Sequence, residues 1–109
     1  MAKSLQHQII SRALELVSDK RTWTQNAIAR TASDDRCSFM HPKAAKFCAV
    51  GALHRAVFEL AGALDFKLAH AAVRHVSNYL ELPYINDIRG REAVVALFKK
   101  ALGDARSCG

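Results

Sequence analysis

Residues 43–61, KAAKFCAVGALHRAVFELA, constrain the fold more than any other stretch. Read as a helix at 100° per residue, the apolar side chains from Phe47 to Ala61 cover roughly 220° of the wheel, wider than the stripe of a surface helix. Such a helix has to be enclosed on several sides, which predicts a central element with the others packed around it. Cys48, Arg55 and Glu59 form its narrow polar edge. Gly51 costs a helix interior about 1 kcal/mol relative to alanine, which predicts a neighbouring backbone in close approach. His41-Pro42 marks the start, because proline disfavours helix at the residue before it and fits a first helical turn.

Three more helices follow from periodicity. Over residues 4–20, Leu5, Ile9, Ile10, Ala13, Leu14, Leu16 and Val17 share half of the wheel. Gly62 ends the central helix, and Asp65 is placed to cap a third, over 66–82, whose stripe is Phe66, Ala69, Val73, Val76 and Leu80 and which Pro83 stops. A connector, PYINDIRG, leads to a last helix over 91–102, and residues 103–109 read as a frayed tail. Between the first two helices, 23–39 is sparse in apolar residues and carries the turn-forming cluster SDDR, which predicts a small β-hairpin or extended arm. Nineteen alanines favour helix and close packing. The expectation is a mainly α, compact four-helix domain with a small β element, one domain over 1–109.

Half of the 109 residues are hydrophobic and about a quarter charged, which excludes disorder as the main state. No stretch approaches the roughly 20 consecutive apolar residues of a membrane span, and the N-terminus lacks the apolar run of a secretory signal. Cys37, Cys48 and Cys108 are odd in number and widely spaced, which suits free thiols in a reducing compartment. A cytoplasmic protein is expected.

The net charge of +6 hints at acidic partners, but it is spread out. Residues 1–22, 23–47 and 84–109 each carry +2, and 48–83 is neutral. Arg89, Arg91, Lys99, Lys100 and Arg106 are the densest basic run and the candidate nucleic-acid surface. A second nucleic-acid reading places a helix-turn-helix over 24–38, with the Thr24 hydroxyl as cap.

Cys48 invites a chemical role, since a helix start lowers a thiol pKa and favours the thiolate. The order Cys48, His70 or His75, then Asn86 or Asp87 matches that of a papain-like cysteine hydrolase, so Cys48, His75 and Asp87 are the candidates for an enzymatic alternative, a hydrolase or transferase. Cys37, His41, Cys48 and His54 are metal-ligand types at unsuitable spacing; no metal and no cofactor is expected. Trp23 reads as a core anchor whose indole N–H meets a backbone acceptor, and Asn86-Asp87 as an Asx turn or a contact with the approach to the last helix, a functional reading aiming both toward the Cys48 end of the central helix.

The blocks WTQNAIAR (23–30), FCAVGAL (47–53), IND (85–87) and EAVVALFKKA (92–101) resemble a family of short bacterial and phage proteins of unknown function. That family reads as an early W-T-Q block, an aromatic-Cys-Ala helix and an Asn-Asp block before the last helix. Ile85 stands here where the family has tryptophan. The resemblance implies a fold, a hairpin in preference to a helix-turn-helix, and marked positions, but no mechanism. Trp23, Gln25, Cys48, Arg55, Asn86 and Asp87 are therefore candidate binding residues. The function expected is a non-enzymatic binding or regulatory accessory protein that acts through a macromolecular partner, a protein first and nucleic acid second, with no role for a membrane.

Overall fold

The computed structural model describes residues 4–103. The chain runs α1 (Leu5–Ser18), β1 (Ala29–Thr31), β2 (Ala44–Phe47), α2 (Ala49–Ala61), α3 (Phe66–Val76), α4 (Glu81–Tyr84), a π-helical turn (Ile85–Arg89) that continues α4, and α5 (Arg91–Gly103). Mainly helical architecture with a small antiparallel pair between the first two long helices matches the expectation, but there are five helices instead of four.

α1 starts where the Ser4 hydroxyl accepts from the His7 N–H, and it buries Ile9, Ile10, Ala13, Leu16 and Val17. It packs on both α2 and α5, so one core joins α1, α2, α3 and α5. The enclosure expected of α2 is observed: of its first nine residues, 49–57, only Arg55 is not buried. Gly62 closes α2 in the left-handed conformation, at φ 74°, with its N–H bonded to the Phe58 carbonyl. Asp65 caps α3 through the Leu68 N–H.

The central helix is shorter than the sequence suggests, because 44–47 is a strand. Ala29 pairs with Phe47, Arg30 with Lys46 and Thr31 with Ala44, with a bulge between Arg30 and Thr31. Alanine and lysine are compatible with either conformation, and here the ladder, with further backbone bonds from Phe47 N–H to Thr22 and from Thr24 N–H to Phe47, decides. The hairpin thus reaches beyond the expected 23–39. Its SDDR turn is present, with Asp34 left-handed at φ 70°. Residues 24–38 contain β1 and turns and no helix, so the helix-turn-helix has no counterpart.

α3 also stops early, at Val76 instead of 82. The Asn78 side-chain oxygen takes the Leu80 and Glu81 N–H groups, at 2.9 and 2.7 Å, and starts a new helix. Pro83 sits inside α4 instead of stopping a helix, because N–H groups of a first turn have no intrahelical partner to lose. The expected connector is therefore helical, ending in a π-type bond from Gly90 N–H to the Ile85 carbonyl at 3.0 Å. The last helix agrees to within a residue, and of the expected tail, 104–109 lies outside the described residues, as does Cys108.

The close approach at Gly51 is to the carbonyl of Ile28, whose oxygen occupies the place a β-carbon would take. A Gly51→Ala variant should therefore lose about 1–3 kcal/mol in urea unfolding, by forced displacement of Ile28, although the same change in an open helix gains about 1 kcal/mol.

Candidate functional site

Of the residues singled out by the sequence, Trp23, Gln25, Cys48, Asn86 and Asp87 meet at the start of α2, and Arg55 lies apart from them. Asn86, in the π-helical turn, is completely buried. Its Oδ1 accepts from the Trp23 indole N–H at 2.8 Å and from the Ala49 backbone N–H at 2.9 Å. Its Nδ2 donates to the Thr24 carbonyl at 3.0 Å and to Asp87 Oδ1 at 2.9 Å. A side-chain amide has two donors and an acceptor with two lone pairs, so every hydrogen-bonding position of Asn86 is filled. Trp23 meets a side-chain acceptor here, not the backbone acceptor expected of it, and Asn86 points inward instead of shaping an Asx turn.

Gln25 and Asp87 extend the cluster. Gln25 Nε2 donates to the carbonyls of Asn86 and Asp87, both at 3.1 Å. Asp87 Oδ1 also accepts from the Asn26 N–H at 2.9 Å, and Asn26 takes the left-handed φ of 61° that asparagine tolerates better than most residues. Asn86 fills one of the open N–H groups at the α2 start, and the Cys48 sulfur fills another by accepting from Gly51 N–H at 3.3 Å.

This cap changes the chemistry expected of Cys48. Burial pushes its thiol pKa up, and the Asp87 charge adds to that rise; the backbone donors around the sulfur oppose it without reversing it. The helix start therefore does not yield a thiolate. His75 lines a separate cleft with Ser4, Gln6 and Ile10, whereas Cys48 and Asp87 line a common one, so the triad Cys48, His75, Asp87 is not assembled. Among the described residues no group of three His, Cys, Asp or Glu side chains is placed to hold a metal ion.

Arg55 is committed to structure. Its Nη1 donates to the carbonyls of Phe39 and His41, at 2.9 and 3.2 Å, and its Nε pairs with Glu59 at 3.0 Å. Burial alone would raise the Glu59 carboxyl, but its bonds to Arg12 and Arg55 outweigh that and hold it below the ordinary value. The basic run is partly gathered. Arg89 and Arg91 line an open cleft of about 630 Å³ with Lys20 and Trp23, and Arg89 and Lys100 line the next groove, whereas Lys99 borders neither.

The sequence reading missed two features. A cleft of about 250 Å³ lies between Ile28, Cys48, Val50, Tyr79, Pro83 and Asp87. Behind it His54 is enclosed, 7 % exposed, with Nε2 2.9 Å from the Tyr79 hydroxyl and Nδ1 without a partner. The Phe39 ring lies tilted against its ring with centroids 5.1 Å apart, and Phe66 meets it edge-on at 6.1 Å. The second feature is an apolar edge: Leu80, Tyr84 and Ile88, four apart, are 89, 58 and 66 % exposed. The periodicity puts Leu80 on the apolar stripe of a third helix that Pro83 stops before Tyr84; with α3 ending at Val76, Leu80 faces water instead and falls in register with Tyr84 and Ile88.

With the geometry in place, the sequence profile of DUF6197, a family of unknown function, matches residues 1–104. The chain belongs to the DUF6197 family. No curated protein and no solved structure matches it. For this DUF6197 chain, no helix among the described residues is long and apolar enough to cross a membrane.

Two outcomes follow. Asn86→Ala would strand the Trp23 indole, the Ala49 N–H and the Thr24 carbonyl, and should cost about 2–4 kcal/mol in chemical denaturation, above the roughly 1–3 kcal/mol of one unsatisfied group because three are left together. Burial, with the nearby His70 charge adding, depresses the His54 pKa below its ordinary 6.5. The unfolded chain then binds more protons than the native one below pH 6.5, so His54 stabilises fully above that value and loses its contribution as pH falls through the depressed pKa. Unfolding free energies measured from pH 7.5 to 4.5 should fall over this range and should fall less in His54→Gln.

Proposed function

We propose that this protein is a non-enzymatic binding or regulatory accessory module that acts in the cytoplasm on a protein partner. The observation that carries the reading is the Leu80, Tyr84, Ile88 edge. Large side chains this open, four residues apart from the cap of α4 into the turn that follows it, hold apolar surface in water, and exposed apolar surface of this kind marks interaction sites. An aromatic flanked by two aliphatic residues suits the anchoring role that tyrosine often takes at interface centres. The strip stands on a rigid base, because the next residues inward are Leu82 and Asn86, both fully buried. The capped and protonated Cys48 thiol further favours binding over nucleophilic chemistry.

A nucleic-acid partner is favoured by one observation of its own, the open cleft that Lys20, Arg89 and Arg91 line together with Trp23, against the single acidic residue Glu92. One retention experiment separates the two readings. With the full chain as bait against extract from the native host, Tyr84→Glu with Ile88→Glu should lower retention of a specific protein about tenfold or more, since hot-spot anchors contribute about 2 kcal/mol or more each. Lys20→Glu with Arg89→Glu should leave it within about twofold. The reverse pattern, with nuclease-sensitive and salt-sensitive retention, would establish the nucleic-acid reading instead.

A further inference from the structure

The cleft beside Cys48 has a feature that the apolar edge and the polar cluster leave unused. Asp87 Oδ1 is saturated by Asn26 and Asn86, but among the described residues Oδ2 accepts no hydrogen bond and Asp87 joins no ion pair. The remaining walls are Ala27, Ile28, Val50, Tyr79 and Pro83, almost wholly apolar. We propose that this cleft is a binding site for a primary ammonium group carried on a short aliphatic stem, with the stem along Ile28, Val50 and Pro83 and the cation on Asp87.

Charge and geometry both select this chemistry. A carboxylate beside apolar walls lacks part of its hydration, so a cation brought to it is held more strongly than one at an open surface. The walls in turn suit methylene groups, the division of labour seen when lysine lays its stem on apolar surface and its head on a polar group. Guanidinium is disfavoured because its fork engages two carboxylate oxygens, and one oxygen of Asp87 already holds two donors. One free oxygen fits the point charge of an ammonium. The Asp87 charge is effective in the cleft, since it helps raise the Cys48 thiol pKa. A free alkylamine and the side chain of a lysine in another chain share this chemistry.

The test is an amide-resolved NMR titration of the full chain with n-pentylammonium chloride, with Nα-acetyl-lysine methylamide, and with n-pentanol as the neutral control. The expected result is saturable shifts at Ala27, Ile28 and Val50 with one or both cations, and at least tenfold weaker binding of pentanol. A tighter fit of the alkylamine assigns the site to a free amine, and a tighter fit of the lysine derivative assigns it to a lysine side chain. Asp87→Asn is the informative variant, because the asparagine oxygen can keep both bonds of Oδ1 while the free oxygen becomes a neutral amide. It should weaken cation binding at least tenfold with the rest of the spectrum unchanged. Should Asp87→Asn lose its folded spectrum, Ala27→Leu, which narrows the cleft, should weaken binding of every probe. Equal binding of pentanol and the cations, or cation binding unchanged in the folded variant, would overturn the proposal.

Discussion

A single buried amide organises this protein. Asn86 receives the indole of Trp23 and the first N–H of α2, and gives its own protons to Thr24 and Asp87. Removing four polar positions from water is tolerable because each is paired, and in a low-dielectric setting the pairs reinforce one another. The arrangement fixes three things at once: the end of the first loop, the start of the central helix, and the roll of the π-helical turn. Because Asn86 faces inward, Ile88 and Tyr84 face out, and Asp87 is left at the rim of a cleft. The exposed edge and the cleft are thus two consequences of one orientation.

The second constraint is the close contact of Gly51 with the Ile28 carbonyl. It seats the loop before β1 directly on α2, and the Cys48 N–H reaches back to the same carbonyl at 3.3 Å. Together with the ladder from Ala29 to Phe47, this makes the small sheet a clamp on the helix start. Cys48 serves that clamp as a cap. Its sulfur does for Gly51 what a serine hydroxyl does at other helix starts, but from a more buried position, and burial is why the thiol stays protonated.

Local signals in the sequence were sound where structure is local. The Ser4 to Ser18 amphipathic pattern, the Gly62 stop and the Asp65 cap describe interactions within a few residues or within one helix, and Gly51 signals a close approach without naming Ile28 as its partner. Errors arose where a distant partner decided. AAKF follows helical propensity in isolation, yet β1 claims its backbone. Pro83 reads as a stop, yet Asn78 supplies a new helix start just before it. The sequence marks Trp23, Gln25, Cys48, Asn86 and Asp87, and with them Arg55, which lies outside the cluster, but it does not say that Trp23 meets Asn86 across 63 positions. Nor does it say that Arg55 is consumed by the carbonyls of Phe39 and His41. His54 and Tyr79 do not show as a pair in the sequence, because one lies on an apolar arc and the periodicity runs a helix through the other, which the structure places just beyond the end of α3.

The span of the amide cluster has a consequence for how the protein assembles. Its bonds close loops of 37 and about 62 residues, so the chain gives up considerable freedom before any of them forms. Contacts within α1 and α2 demand far less, and such pieces can organise before the ends of the chain meet. Presentation of Leu80, Tyr84 and Ile88 in a fixed row is then tied to completion of the whole fold. A nascent or partly unfolded chain offers the same side chains without the row, so binding at the row, as proposed above, would depend on a finished fold.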